Sequence, residues 1–320
     1  GNHHRMVEVD MMGNTIHNWD MLERGYTMHH AISQDKQGNI LATVSKTSAK
    51  IANGKDVRIN DFIIRMDPEK GEILQEWDLV NMLDSARYGM TDYNLTADPY
   101  AQNASNWAHN NGIVEWGNDY LATARYQGIF KFNKAGGIEW IISPHGYWRD
   151  RYLKLLLNPL HADGTPITDP DVIAGTKNCD DFEWPWGCHT AVPLPNGHIF
   201  YFNNGYGRNF KLDFTDRKNV YTCGIEYEVD EVNRTVRQVW QYGKERGTAY
   251  FTPARSGVQY LEQTGNRLIC PGMSNVLSNG NRGARVTEVD PETQEIVFEL
   301  ELEDAIYQRV YRMSLYPDNQ

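Results

Sequence analysis

The sequence has no run rich in lysine and arginine, and its 31 Lys+Arg against 42 Asp+Glu leave a formal net charge of −11. That removes the electrostatic footprint of a nucleic-acid binder and confines any anion site to a local cluster. No apolar stretch approaches the roughly 18 residues of a membrane-spanning helix, so no membrane insertion of that kind is expected. The opening Gly1-Asn2-His3-His4-Arg5 has neither the charged nor the hydrophobic region of a signal peptide, which leaves export undecided. Cysteine is scarce: Cys179, Cys188, Cys223 and Cys270 show no zinc-site spacing. Cys223 and Cys270 sit in apolar runs and read as buried thiols. Cys179 and Cys188 bracket an aromatic loop and are candidates for a short disulfide in an oxidising compartment. Helical signals are nearly missing as well, with Asp78 to Tyr88 and Tyr152 to Leu157 the two plausible segments, both inside long connections.

What the sequence does contain is a repeat. A strand ending in Asp or Asn, a turn that contains glycine in the first three copies, then a strand ending in an aromatic recurs from Val7-Glu8-Val9-Asp10 to Trp19, Ile64-Arg65-Met66-Asp67 to Trp77, Phe130-Lys131-Phe132-Asn133 to Trp140, Tyr227-Glu228-Val229-Asp230 to Trp240, and Thr287-Glu288-Val289-Asp290 to Phe298. Between these lie hairpins of a second kind, turning at Gly38, Gly117, Gly197 and Gly265. Two hairpins make one four-stranded blade, so the predicted fold is an all-β β-propeller spanning 1–320, ahead of a sandwich or another solenoid. The hairpins supply between four and five full blades. Val310 to Leu315 reads as one more inner strand awaiting partners, and an N-terminal portion is expected to be missing. Long loops at Leu83 to Ser105 and Tyr147 to Trp186 are where function is expected.

Superposing the repeats on their turn glycines brings out the chemistry. His30, His109 and His189 each stand eight residues before a turn glycine (Gly38, Gly117 and Gly197), whereas Gly257 occupies that slot before Gly265. In a propeller, equivalent slots at the start of each inner strand converge on one axis, so these histidines should form a cluster. A single histidine would read as a satisfied structural residue; a recurring slot does not. Asn111 follows His109 by two residues, and Arg125 lies on the next strand. Histidine clusters serve metals or acid, base and nucleophilic chemistry. A buried arginine favours an oxyanion over a divalent cation, because its planar fork donates to sulfate or phosphate oxygens.

At this point the chain resembles the bacterial arylsulfate sulfotransferases that need no nucleotide sulfate donor. The resemblance is carried by Asn106-Trp107-Ala108-His109-Asn110-Asn111, Ala124-Arg125-Tyr126-Gln127-Gly128, Cys188-His189-Thr190-Ala191, Phe202-Asn203-Asn204-Gly205-Tyr206-Gly207-Arg208 and Trp240-Gln241-Tyr242-Gly243-Lys244-Glu245-Arg246-Gly247. It implies a six-bladed propeller, an N-terminal β-sandwich domain that this chain does not include, a periplasmic homodimer, and ping-pong transfer between a phenolic sulfate donor and a phenol acceptor without a cofactor. It implies further that His189 attacks sulfur and that His30, His109, Asn111 and Arg125 hold the sulfuryl oxygens, with His109 or His30 as the proton donor. Trp107, Trp184, Trp186 and Tyr250 are candidates to sandwich the phenol ring. Two departures stand out: Arg255 beside Ser256 replaces the family's threonine and offers the site a second cation, and Cys179 has lost the partner cysteine that precedes it in the family, while Cys188 is new. The competing readings are a propeller that binds an anion without chemistry, and a metal-dependent lyase or hydrolase using the three histidines.

Overall fold

The computed structural model describes residues 4–53, 56–87, 107–274, 283–303 and 306, with side chains of 47–60 not described. The chain opens with a hairpin, β1 (Arg5–Val9) and β2 (Thr15–Asp20). The first blade follows as β3 (Thr27–Gln34), β4 (Ile40–Asn53), β5 (Asp56–Met66) and β6 (Ile73–Asp78). The second is β7 (Asn110–Trp116), β8 (Asp119–Ala124), β9 (Gly128–Phe132) and β10 (Ile138–Ile142). After β11 (Asn158–Leu160) comes the third, β12 (His189–Pro193), β13 (Ile199–Asn203), β14 (Cys223–Asp230) and β15 (Thr235–Tyr242). The fourth is β16 (Gly257–Tyr260), β17 (Arg267–Cys270), β18 (Ala284–Val289) and β19 (Ile296–Leu302). Each blade is an antiparallel meander, and β11 adds to the third in parallel along β15. Among the described residues there are therefore four blades and a half-blade hairpin, against the four to five full blades expected; Val310 to Leu315 lies outside the described residues, as does most of the loop from Leu83 to Ser105.

The repeat has a physical cause at both ends of its hairpin. Asp10, Asp67, Asn133, Asp230 and Asp290 each accept backbone N–H groups two to four residues onward, which closes the turn. The aromatic at the other end crosses to the neighbouring blade. Trp77 Nε1 donates to Lys134 O at 3.0 Å, Trp140 Nε1 to Glu231 Oε1 at 2.8 Å and Trp240 Nε1 to Pro291 O at 3.0 Å, each acceptor lying in the next blade's outer turn. Trp19 packs against the bare Cα of Gly71 in the corresponding turn, where a Cβ would sit only 2.3 Å from its ring. Phe298 occupies the same slot without a donor and is half exposed.

Apolar faces of consecutive blades bury one another. Leu41, Ile63 and Trp77 meet Ile113, Tyr120 and Phe130; Leu121, Ile129 and Trp140 meet Ile199, Tyr201 and Ile225; Phe200, Phe202 and Tyr242 meet Val258, Ile269 and Val289. The innermost strands β3, β7, β12 and β16 pack successively side by side, which defines the axis. Helices are shorter than the sequence suggested. Asp78 caps a single turn, α1 (Leu79–Met82), and α2 spans Asp150–Leu153, before a bridge from Leu156 to Ile141 pulls the chain back to extended form. A further helix, α3 (Pro170–Ala174), starts at an Asp169 cap with proline in its first turn.

Candidate active site

Where the inner strands of the first three blades begin, the ladder slips. The register shifts between Met28 and Ile32, between Asn110 and Gly112, and between His189 and Ala191. Left-handed backbone accompanies these slips, with φ of 58° at His30, 52° at His109 and 43° at Thr190, and 68° at Arg255 in the fourth blade. Non-glycine residues rarely adopt this conformation, and where they do they commonly serve a site. The slip turns side chains out of the alternating pattern and toward the axis.

Three histidines meet there. His30 Nε2 and His109 Nε2 are 3.1 Å apart, with ring centroids at 4.6 Å, and the His30 and His189 rings lie 5.8 Å apart. Arg125, 2% exposed, donates from Nη2 to Pro253 O at 2.7 Å and stacks over Tyr206 at 4.4 Å. Surrounding protein makes the charged imidazoles costly and the positive guanidinium adds to that cost. Both effects hold His30 and His109 well below the ordinary histidine value and bring His189 down to about 3. His189, only 3% exposed, is therefore neutral at pH 7.

The tautomer of His189 follows from its partner. Asn204 donates from Nδ2 to Thr252 O at 2.9 Å and to Arg255 O at 3.2 Å, so its Oδ1 is the atom facing His189 Nδ1 at 2.6 Å. The ring must donate from Nδ1, and Nε2 carries the lone pair. A second chain leaves the cluster through His29: its Nδ1 lies 3.1 Å from His30 Nδ1, and its Nε2 lies 3.4 Å from Asp61 Oδ1. Asn204, Tyr206, His29 and Asp61 were missed as site residues. Asn204 and Tyr206 fell inside a quoted signature segment, but nothing local to it indicated contacts with residues 189, 252 and 125.

Other expected residues take different places. Asn111 Nδ2 donates to Cys188 O at 2.8 Å and its Oδ1 accepts from Thr123, so it fixes the backbone immediately before His189. Arg255 contributes its carbonyl to Asn204, and among the described residues its guanidinium has no hydrogen bond or ion pair. Ser256 Oγ accepts from Gly272 N, a structural bond. The four aromatics expected at the mouth are corrected by their burial: Trp107, Trp184, Trp186 and Tyr250 are at most 3% exposed. Each fills an apolar interface, and Tyr250 gives its hydroxyl to Thr287. The expected bridge between Cys179 and Cys188 is not formed either. All four cysteines are free; Cys188 is sealed in the core under His189, while Cys179 faces Asp181 at the periphery.

A propeller axis that gathers imidazoles around a buried guanidinium has the donor set that an oxyanion requires. Comparison makes this specific: the chain belongs to the arylsulfotransferase (ASST) family, whose profile matches residues 1–312. It is 28% identical over 344 positions to the arylsulfate sulfotransferase AssT of Escherichia coli O6:H1, covering 98% of this chain and 57% of that protein. It is 29% identical over 345 positions to the arylsulfate sulfotransferase AssT of Lelliottia amnigena, with the same two coverages. The chain thus spans a little over half the length of these relatives. Among solved structures, BamB from Moraxella catarrhalis superposes on 97% of this chain and 71% of its own at TM-score 0.36 and 7% identity, a likeness too loose to bear on function.

Proposed function

We propose that this protein transfers a sulfuryl group from a phenolic sulfate ester to another phenol, through a sulfohistidine on Nε2 of His189. The observation that carries the reading is the Asn204 contact, which leaves the His189 lone pair on Nε2 of a ring that feels the charge of Arg125. In the first half-reaction that lone pair forms an N–S bond while the S–O bond to the aryl group breaks, and the phenolate departs with its charge met by Arg125. The sulfurylated ring keeps its Nδ1 proton, whose bond to Asn204 strengthens as the ring becomes cationic. In the second, the acceptor oxygen attacks sulfur, the N–S bond breaks, and its electrons return to Nε2.

The neighbouring imidazoles serve the second half. His29 Nδ1 and His30 Nδ1, and His30 Nε2 and His109 Nε2, face each other at 3.1 Å, so in each pair one nitrogen donates and the other accepts. His109 serves as the base for the acceptor's proton, which it gives up to solvent or to the next departing phenolate. The metal-dependent alternative is disfavoured by geometry. Among the described residues, the axial histidines do not bring three ligand atoms within 4.8 Å of one another. Export to the periplasm and homodimerisation complete the proposal and rest on the family resemblance alone.

Intact-protein mass spectrometry after exposure to p-nitrophenyl sulfate tests the reading. A single added sulfuryl group on a peptide containing His189, lost in His189→Ala, supports it. Release of free sulfate in place of phenol sulfation, with no label, refutes it.

A further inference from the structure

Away from the axis, three side chains from two segments converge at the outer edge of the third blade. His161 comes from the turn after β11, and Cys179 and Asp181 from the segment that leads to His189. His161 Nδ1 is 3.0 Å from Asp181 Oδ1, Cys179 Sγ donates to the same oxygen at 3.1 Å, and no two of the three ligand atoms are more than 4.8 Å apart. The carboxylate is held independently, since its Oδ2 accepts from Ala162 N at 2.9 Å. All three residues are half-exposed, open to a solvent ligand.

We propose that His161, Cys179 and Asp181 form a peripheral site for a borderline-soft divalent cation such as zinc, with water in the remaining position. One nitrogen, one thiolate sulfur and one carboxylate oxygen suit that class of ion. Bonds of about 2.0–2.3 Å place tetrahedral ligands about 3.3–3.8 Å apart, so the present spacing needs adjustments of an ångström or less. The protons now occupying the knot are the ones a cation replaces. His161 moves its proton to Nε2, Cys179 releases its proton to solvent, and the thiolate and carboxylate together neutralise the two positive charges. A thiol nucleophile is a poorer account of the same cluster. The Cys179 thiol donates to a carboxylate, not to an imidazole base, and burial together with that carboxylate raises its pKa. A bound ion ties the turn at His161 to the segment that carries His189.

Cobalt(II), titrated into reduced and chelator-treated protein, reads the site directly. The expected result is one equivalent bound with a sulfur-to-cobalt charge-transfer band, displaced by zinc(II). That band is lost in Cys179→Ser, and affinity falls at least about tenfold in Asp181→Asn and His161→Ala. Because the axial histidines are another source of cobalt ligands, the thiolate band is the deciding signal. No band in the wild type, or a band that survives Cys179→Ser, overturns the proposal. If Cys179→Ser fails to fold, alkylation mapping of the wild type decides: zinc(II) must slow modification of Cys179, and an unchanged rate overturns the site.

Discussion

Asn204→Ala isolates the contact on which the proposed chemistry depends. The substitution removes the acceptor of His189 Nδ1–H at 2.6 Å and the donors to Thr252 O and Arg255 O, without touching Arg125 or the other imidazoles. In the ground state the cost is a neutral hydrogen bond. As sulfur binds Nε2 the ring gains positive charge and the same bond becomes charge-assisted, worth about 1.5–3 kcal/mol. Turnover follows the difference between the two states, about 1–1.5 kcal/mol, and should therefore fall about five- to tenfold, since every 1.4 kcal/mol is about a factor of ten. KM should change little, because Asn204 positions the nucleophile and does not meet the donor. Steady-state release of nitrophenolate from p-nitrophenyl sulfate, with phenol as acceptor, measures both parameters; a thermal melt at the same pH monitors the fold. Asn204→Asp separates orientation from charge: its carboxylate stabilises imidazolium, so the His189 pKa, which burial and Arg125 hold down in the wild type, moves up and carries the acid limb of kcat/KM with it. Wild-type turnover in Asn204→Ala, or an unmoved acid limb in Asn204→Asp, would refute the tautomer argument.

Arg125→Ala should leave a folded protein with turnover down by at least about 100-fold, the scale for losing a preorganised donor to developing negative charge. Arg125→Lys should not restore it, because the stack on Tyr206 and the bond to Pro253 O need a planar fork; near-normal kinetics in the lysine variant would count against that role. Stability should fall on acidification, since unfolded histidine binds protons from about 6.5 while His189 stays neutral in the fold to about 3. Each such residue costs up to about 1.4 kcal/mol per pH unit across that window, so melting temperature should drop below pH 6.5 and His189→Gln should flatten the slope by one proton. Trp77→Phe should cost about 0.5–1.5 kcal/mol in denaturant titration through loss of its N–H bond to Lys134 O; equal stability would dismiss that bond as a latch.

The blades were legible because each carries its own local punctuation: an Asp or Asn that closes a turn by bonding its neighbours, a glycine at left-handed φ, and a terminal aromatic. The axial histidines were legible for a related reason, because a fixed offset from a turn glycine is a fixed position on a strand. Contacts between segments distant in sequence were not. His189 and Asn204 are held by Thr252 and Arg255, and no periodicity announces that meeting. The aromatic assignment failed because a propeller loop rich in tryptophan looks the same whether its rings meet a ligand or the neighbouring blade. Trp184 shows the outcome, sunk among Val172, Phe182 and Trp186 with its N–H given to Val172 O. The disulfide assignment failed because proximity in sequence says nothing about depth.

The tryptophan bonds between blades sit on the outermost strands, while the histidines sit on the innermost. Blades arranged around an axis act as wedges pivoting near their narrow ends, so a given play at the rim becomes a much smaller displacement at the hub. The bond from Trp77 sets the angle between the blades that carry His30 and His109, and that from Trp140 the angle between those of His109 and His189. Tolerance for the spacing at the axis is thus set by leverage: loose carpentry at the perimeter still yields a fine adjustment at the centre, where shorter clamps such as Asn111 to Cys188 O finish the work.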